Sequence, residues 1–436
     1  MLKTRILAIL LVTNLVFVPG LASAQEGPLT IQADEALRPA VDALYAAAFD
    51  GETPSYVDAD ADVLVTADAE ALAEVVDTLP DYFLPDGGIV ALTENTDASS
   101  FVDFSVSPDG QQVLIDAGLL PASITITDQA GNTIEIPQPV RKVIAPHAIA
   151  TYTVYGVAGG DRLVAGSFLG ARDEPGASRM AQMDPRFSEL SSYSMSQKEI
   201  NVEQVALLAP DVILTSTRSQ WLDAVAELSI PVILFQGESP ETLKEAVLIV
   251  GQILGPNTAA HAEAWVAYYD SVFTKVTEAT SGLEARPTVL FSGSEPLRVA
   301  SSDMYQFFMV EAAGGTPVTG DLTGYWNDVN LEQVAVWNPE IIFSTPYDGA
   351  WIDSIMDSAE WQVISAVQNG KVYEVPSYVA PWDTPIPESV LGIIWITETL
   401  YPDLIDLDCA TETDYFYRTF YDYQLTEDEI TALCGS

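Results

Sequence analysis

From residue 141 onward, short apolar runs alternate with stretches whose apolar residues recur at helical spacing. The runs read KVIAP, DVILTS, PVILFQ, PTVLFSG, EIIFST and KVYEVP. Runs this short, rich in β-branched residues and bounded by turn formers, predict fully buried strands. Their alternation with helices predicts parallel sheets covered by helices, an α/β fold. Just upstream, ITITD and TIEIP alternate apolar and polar residues around Ala130-Gly131-Asn132, which predicts a hairpin. Between the third and fourth runs, Ala259 to Ser281 holds neither Gly nor Pro, and Trp265, Tyr268, Tyr269, Val272, Phe273 and Val276 follow a helical period. Asn257 and Thr258 offer an N-cap for this helix, which at 1.5 Å per residue is roughly 36 Å long, enough to span two lobes.

The most informative pattern is an internal repeat. Residues 200–214 read INVEQVALLAPDVIL and residues 329–343 read VNLEQVAVWNPEIIF, identical at seven of fifteen positions without a gap. Each predicts a short helix, a proline stop and a buried strand. Ala158-Gly159-Gly160 and Ala313-Gly314-Gly315 are a weaker echo. The expected organisation is a leader (1–24), a small α/β unit (25–120), a first lobe (121–257), a connecting helix (258–284), a second lobe (285–405) and an aromatic, acidic helical tail (406–436).

Lys3 and Arg5, the apolar run Ile6 to Val18 and Ala22-Ser23-Ala24 form a secretory signal peptide, expected to be cut before Gln25. The mature chain is then exported and soluble, periplasmic or extracellular. The net charge is −46, with 63 acidic against 17 basic residues, which excludes a nucleic-acid partner. Export also favours pairing of the only two cysteines, Cys409 and Cys434, which would close the tail. With two histidines in the chain, a histidine-rich metal centre is excluded. There is no phosphate loop, nucleophile elbow or dinucleotide fingerprint, so neither a cofactor nor enzymatic activity is expected.

Two α/β lobes, one long connecting helix, a leader and paired N-x-E-Q helices together resemble the ABC-importer substrate-binding proteins for ferric siderophores, haem and cobalamin, over roughly residues 122–430. The fragment SYVAPWDTPIPESVLGIIWITETLYPD resembles a subgroup associated with iron complexes. The resemblance implies two Rossmann-like lobes with a ligand between them, and one acidic residue on each lobe that docks on a basic pocket of the permease. At the matching positions these are Glu203 and Glu332. Helix chemistry is the competing account, because Asn201 and Asn330 are good N-caps and a carboxylate is favoured in the first turn that follows.

Ligand residues are expected in loops at the C-terminal ends of strands. The candidates are Tyr325 and Trp326 before the second motif helix, Trp382 in APWDTPIP, Arg218 after DVILTS, Arg298 after PTVLFSG, and Arg179, flanked by Arg172 and Arg186, in the loop after LVAGS. Aromatic faces suit a flat or apolar-rimmed chelate, and arginine forks suit its anionic oxygens. His147 lies at the end of KVIAP. A metal chelate is the expected solute: ferric siderophore first, then haem, cobalamin or a nickel chelate. A non-transport sensor or scaffold of the same fold is the alternative. Residues 29–49 and 101–121 resemble the opening and closing segments of the molybdate-type binding proteins, shortened to an accessory unit, with the acids of QADEAL where an oxyanion pocket would be.

Overall fold

The computed structural model describes residues 29–435 apart from 77, 170–173, 192–194, 347–349 and 403. The expected leader and Arg172 lie outside the described residues.

Residues 29 to about 120 form an α/β unit with its own core of Ile31, Val41, Leu44, Tyr45, Phe83 and Phe101. Its five-stranded sheet holds Thr30–Ala33 between Ser55–Tyr56 and Val63–Thr66, all parallel. Gly87–Ala91 and Asp81–Leu84 close it antiparallel. The hairpin follows, Ser123–Thr127 against Thr133–Pro137, with Asp128 Oδ1 accepting from the N–H groups of Ala130 and Asn132 across the turn.

The first lobe carries a four-stranded parallel sheet. Its order is Val232–Phe235, Val212–Ser216, Val143–Ala145, Leu163–Gly166. In the second lobe Thr288–Ser292, Ile341–Ser344 and Val372–Glu374 are parallel, and Arg298–Val299 and Asn327–Asp328 extend the sheet antiparallel on the far side of Thr288–Ser292. All six apolar runs therefore form strands. Their alternating connections place the strand C-termini of each lobe at one end of its sheet, where the crevice lies.

The connecting helix runs Pro256–Thr280. It begins before Asn257 and Thr258, and neither side chain caps it. Proline in the first turn has no N–H to satisfy, so Asn257 is free to reach sideways into the N-terminal unit. It accepts from the Tyr82 N–H at 2.9 Å and donates to the Asp81 carboxylate at 3.1 Å. The core is continuous across both lobes and this helix: Trp265, Tyr269, Val272 and Val276 pack with Val250, Phe291, Met309, Val390 and Ile394.

Residues 375–388 fill the space between the lobes. Tyr152 of the first lobe donates to Val379 O at 2.7 Å, and Trp265 of the connecting helix donates to Pro387 O at 3.3 Å. The tail folds into helices Cys409–Phe420 and Glu427–Cys434, joined by the Cys409–Cys434 disulfide. Among the described residues no helix is long and apolar enough to cross a membrane.

Candidate functional site

The repeat is reproduced in three dimensions. Helix Val202–Leu208 is capped by Asn201, whose Oδ1 accepts from the Gln204 N–H at 3.1 Å; helix Leu331–Trp337 is capped by Asn330, accepting from Gln333 N–H at 2.8 Å. Both end in a left-handed residue, Ala209 (φ 46°) and Asn338 (φ 43°), that turns the chain through a proline into its strand. Glu203 and Glu332 occupy the same place in the first turn and are both exposed. One turn thus answers both accounts of these glutamates: the helix tolerates a carboxylate there, and the carboxylate is presented to solvent.

At the crevice, the edge of the first sheet at Val232–Phe235 faces the antiparallel edge of the second. Thr217, Arg218, Gln236 and Glu238 from the first lobe meet Asp303, Gly324 and Tyr325 from the second around a cleft of about 450 Å³. Arg218 Nη2 donates to Glu238 Oε1 at 2.8 Å, and its guanidinium stands 4.5 Å over the Tyr325 ring, so one cation ties both rims together. Tyr325 is still 47% exposed. Asp303 Oδ2 accepts from the Gly324 N–H at 2.6 Å, which holds the tyrosine loop. Burial raises the Glu238 carboxyl above its ordinary value, against the lowering effect of Arg218. His147, at the head of helix Ala148–Gly156, is buried and its Nδ1 has no partner. Burial, and secondarily the Arg218 charge, push its pKa down to about 3, so it is neutral at physiological pH.

At the opposite edge of the sheets a larger cleft of about 840 Å³ lies between Leu169, Gly176 and Arg179 of the first lobe, Pro346, Tyr373, Glu374 and Trp395 of the second, and the tail at Ala432 to Gly435. Arg179 donates to Ser377 O at 3.1 Å and Tyr378 O at 3.4 Å and sits 5.0 Å over the Tyr378 ring. Tyr378 in turn donates to Glu429 at 2.7 Å, so this arginine clamps the interlobe segment and the tail together.

The structure brings Arg218 and Tyr325 together, with Arg179 at the second cleft. It corrects Trp382, which is 0% exposed and belongs to the shared core rather than to a crevice wall. Helix Ser389–Leu400 lies directly on it: at Gly392 a β-carbon would stand 2.5 Å from Trp382 O. Arg298 is also displaced from its expected role. It pairs with Asp328 at 3.4 Å on the antiparallel edge and lies outside both clefts. Trp326 is half-buried with its ring over Gly293, where a β-carbon would be 3.0 Å away, so of the adjacent aromatic pair only Tyr325 faces the cleft. Arg186 is taken up by Asp184 at 2.7 Å and by the carbonyls of Gly160 and Asp161. Glu238 and Asp303 were not singled out in the sequence, although Glu238 follows a strand end as Arg218 does. Among the described residues no three His, Cys, Asp or Glu side chains converge on a metal position.

Two α/β lobes on one rigid connector, with clefts at the strand ends between them, define a bilobed solute-binding protein. Residues 193–379 match the periplasmic binding protein family. It is 24% identical over 329 residues to the molybdate-binding protein MolA of Haemophilus influenzae, covering 68% of this chain and 91% of that one. A periplasmic solute-binding protein from Veillonella parvula superposes with a TM-score of 0.64 at 26% identity, over 72% of this chain and 97% of the other. The molybdate-bound structure of H. influenzae MolA gives 0.61 at 20% identity, covering 70% and 99%. Helicobacter pylori CeuE, in a nickel–histidine complex, gives 0.60 at 17%, covering 72% and 100%. Over these residues the chain is similar to periplasmic solute-binding proteins, and the matched family and relatives are binding proteins rather than enzymes.

Proposed function

We propose that the protein captures an anionic metal chelate of the ferric siderophore type between its lobes and presents it to an ABC permease through Glu203 and Glu332. The observation that carries this reading is the Arg218 guanidinium, stacked on Tyr325 and shared by both rims of the crevice. In a chain of net charge −46 an anion is repelled almost everywhere. A stacked arginine fork offers flat, bidentate recognition of carboxylate, catecholate or hydroxamate oxygens, with an aromatic face beside it for the apolar rim of a chelate. Size supports the same class: clefts of about 450 and 840 Å³ fall in the range of small-molecule sites, roughly 300–1,000 Å³. Haem, cobalamin and a nickel chelate present similar chemistry.

A second reading, a tetrahedral oxyanion of the molybdate kind, is favoured by the similarity to MolA. The two separate in a calorimetric or tryptophan-fluorescence titration of the mature protein with ferric siderophores, haem, cobalamin, nickel–histidine and molybdate. Saturable submicromolar binding of a chelate is expected. Binding of molybdate alone replaces the first reading by the second, and a folded protein that binds none of these is a sensor or scaffold.

A further inference from the structure

The two most exposed large apolar side chains among the described residues are Leu207, at 84%, and Val336, at 79%. They occupy equivalent positions of the repeat, each four residues after its motif glutamate, and so lie on the same helix face as Glu203 and Glu332. Ala206 and Ala335, also equivalent, are exposed beside them. The same short helices bury Val205 and Val334 completely, so folding already has its apolar anchor on the opposite face. A single exposed leucine needs no explanation. An aliphatic side chain left in water at the same place in both lobes, one turn from the same carboxylate, is a repeated surface with no return for folding.

We infer that Leu207 and Val336 are the apolar halves of two equivalent docking anchors, each a glutamate with an aliphatic neighbour, built for a partner that offers two equivalent sockets, a basic side chain beside an apolar depression. A surface present twice on one chain fits a partner made of two equivalent subunits, which is the dimeric permease of an ABC importer. The inference rests on the docking role of Glu203 and Glu332 and adds a division of labour. The carboxylates set register and are screened by salt; the aliphatic chains supply affinity that salt does not screen, and by excluding water they strengthen the ion pair next to them.

The test measures the affinity of the mature protein for the importer's permease dimer in lipid nanodiscs, alongside solute affinity and thermal unfolding. Loss of a buried aliphatic contact predicts about ten-fold weaker association for Leu207→Ser or Val336→Ser alone and about a hundred-fold for the double variant, at low and high salt, with folding unchanged. A double variant that binds like wild type, or a loss carried wholly by one position, overturns the inference while leaving the glutamates' role intact if Glu203→Lys/Glu332→Lys still abolishes association. Wild-type association by the charge-reversed variant overturns the docking reading itself, and the inference with it.

Discussion

The motif helices of the two lobes agree residue by residue, from the capping Asn201 and Asn330 through Glu203 and Glu332 to the left-handed Ala209 and Asn338. The rims of the crevice share no such correspondence. The first lobe contributes the cations Arg218 and Arg179 and the carboxyl of Glu238; the second contributes Tyr325, Asp303 and Glu374. A repeat keeps its chemistry where both copies meet equivalent surroundings and loses it where one asymmetric object lies between them. The motif helices therefore fit a two-fold partner and the rims fit a single solute.

The largest effect that would break this contrast is on uptake. Glu203→Lys/Glu332→Lys is expected to abolish solute transport into cells or proteoliposomes while leaving the solute dissociation constant within about two-fold, because the motif helices touch neither cleft and well-separated sites act independently. Unchanged uptake would remove the functional meaning of the matched glutamates and leave them as first-turn residues favoured by the helix dipole.

How far these features were legible depends on how much backbone each one commits. The six apolar runs all became strands because a buried parallel strand is written as a continuous apolar segment. Arg298–Val299 and Asn327–Asp328 are two-residue strands, too short to show any period, and Arg298 was misplaced with them. Trp382 sits in a proline-rich stretch that resembles a surface loop. Only the close approach of helix Ser389–Leu400 at Gly392, a tertiary event, turns that stretch inward. Arg218 stood out because basic residues are rare here. Glu238 and Asp303 did not, because in a chain with 63 acids an acidic residue at a strand end carries little signal.

The contrast sharpens at the floor that both lobes share. Glu388, the last residue of the interlobe segment, is fully buried and accepts from Tyr417 and, at 3.3 Å, from Tyr421. Burial pushes its carboxyl up to about 8 and that of Asp383 up to about 7. A carboxyl whose folded pKa lies above its unfolded value of 4.5 contributes stability that is complete below about pH 4.5 and lost as the pH rises through about 8. His147 and His261, lowered by burial to about 3 and 4, act in the opposite direction, their contribution being lost as the pH falls below 6.5. Denaturant unfolding in high salt, which screens the general acidic repulsion, should show wild-type stability falling from pH 5 to 8. In Glu388→Gln the fall should be shallower, with a gain of about 2 kcal/mol at pH 8. Parallel profiles for the two proteins would mean that Glu388 keeps its charge when buried.

The smallest predicted effect bears on the rims themselves. Arg218→Lys keeps the positive charge and can keep the single contact to Glu238, but removes the planar fork and most of the stacking on Tyr325. Solute affinity should fall by about ten-fold, or 1.4 kcal/mol, when measured by calorimetry. His147 does not confound the measurement. Its low pKa comes first from burial, which the substitution leaves in place, and only second from the Arg218 charge, which lysine preserves, so it stays neutral above pH 6 and the loss should be the same at pH 6 and pH 8. Full retention of affinity by lysine would show that the rim offers the solute only a point charge. A ten-fold loss that is constant with pH would assign the asymmetry of the crevice to the shape of the guanidinium and its place between the lobes.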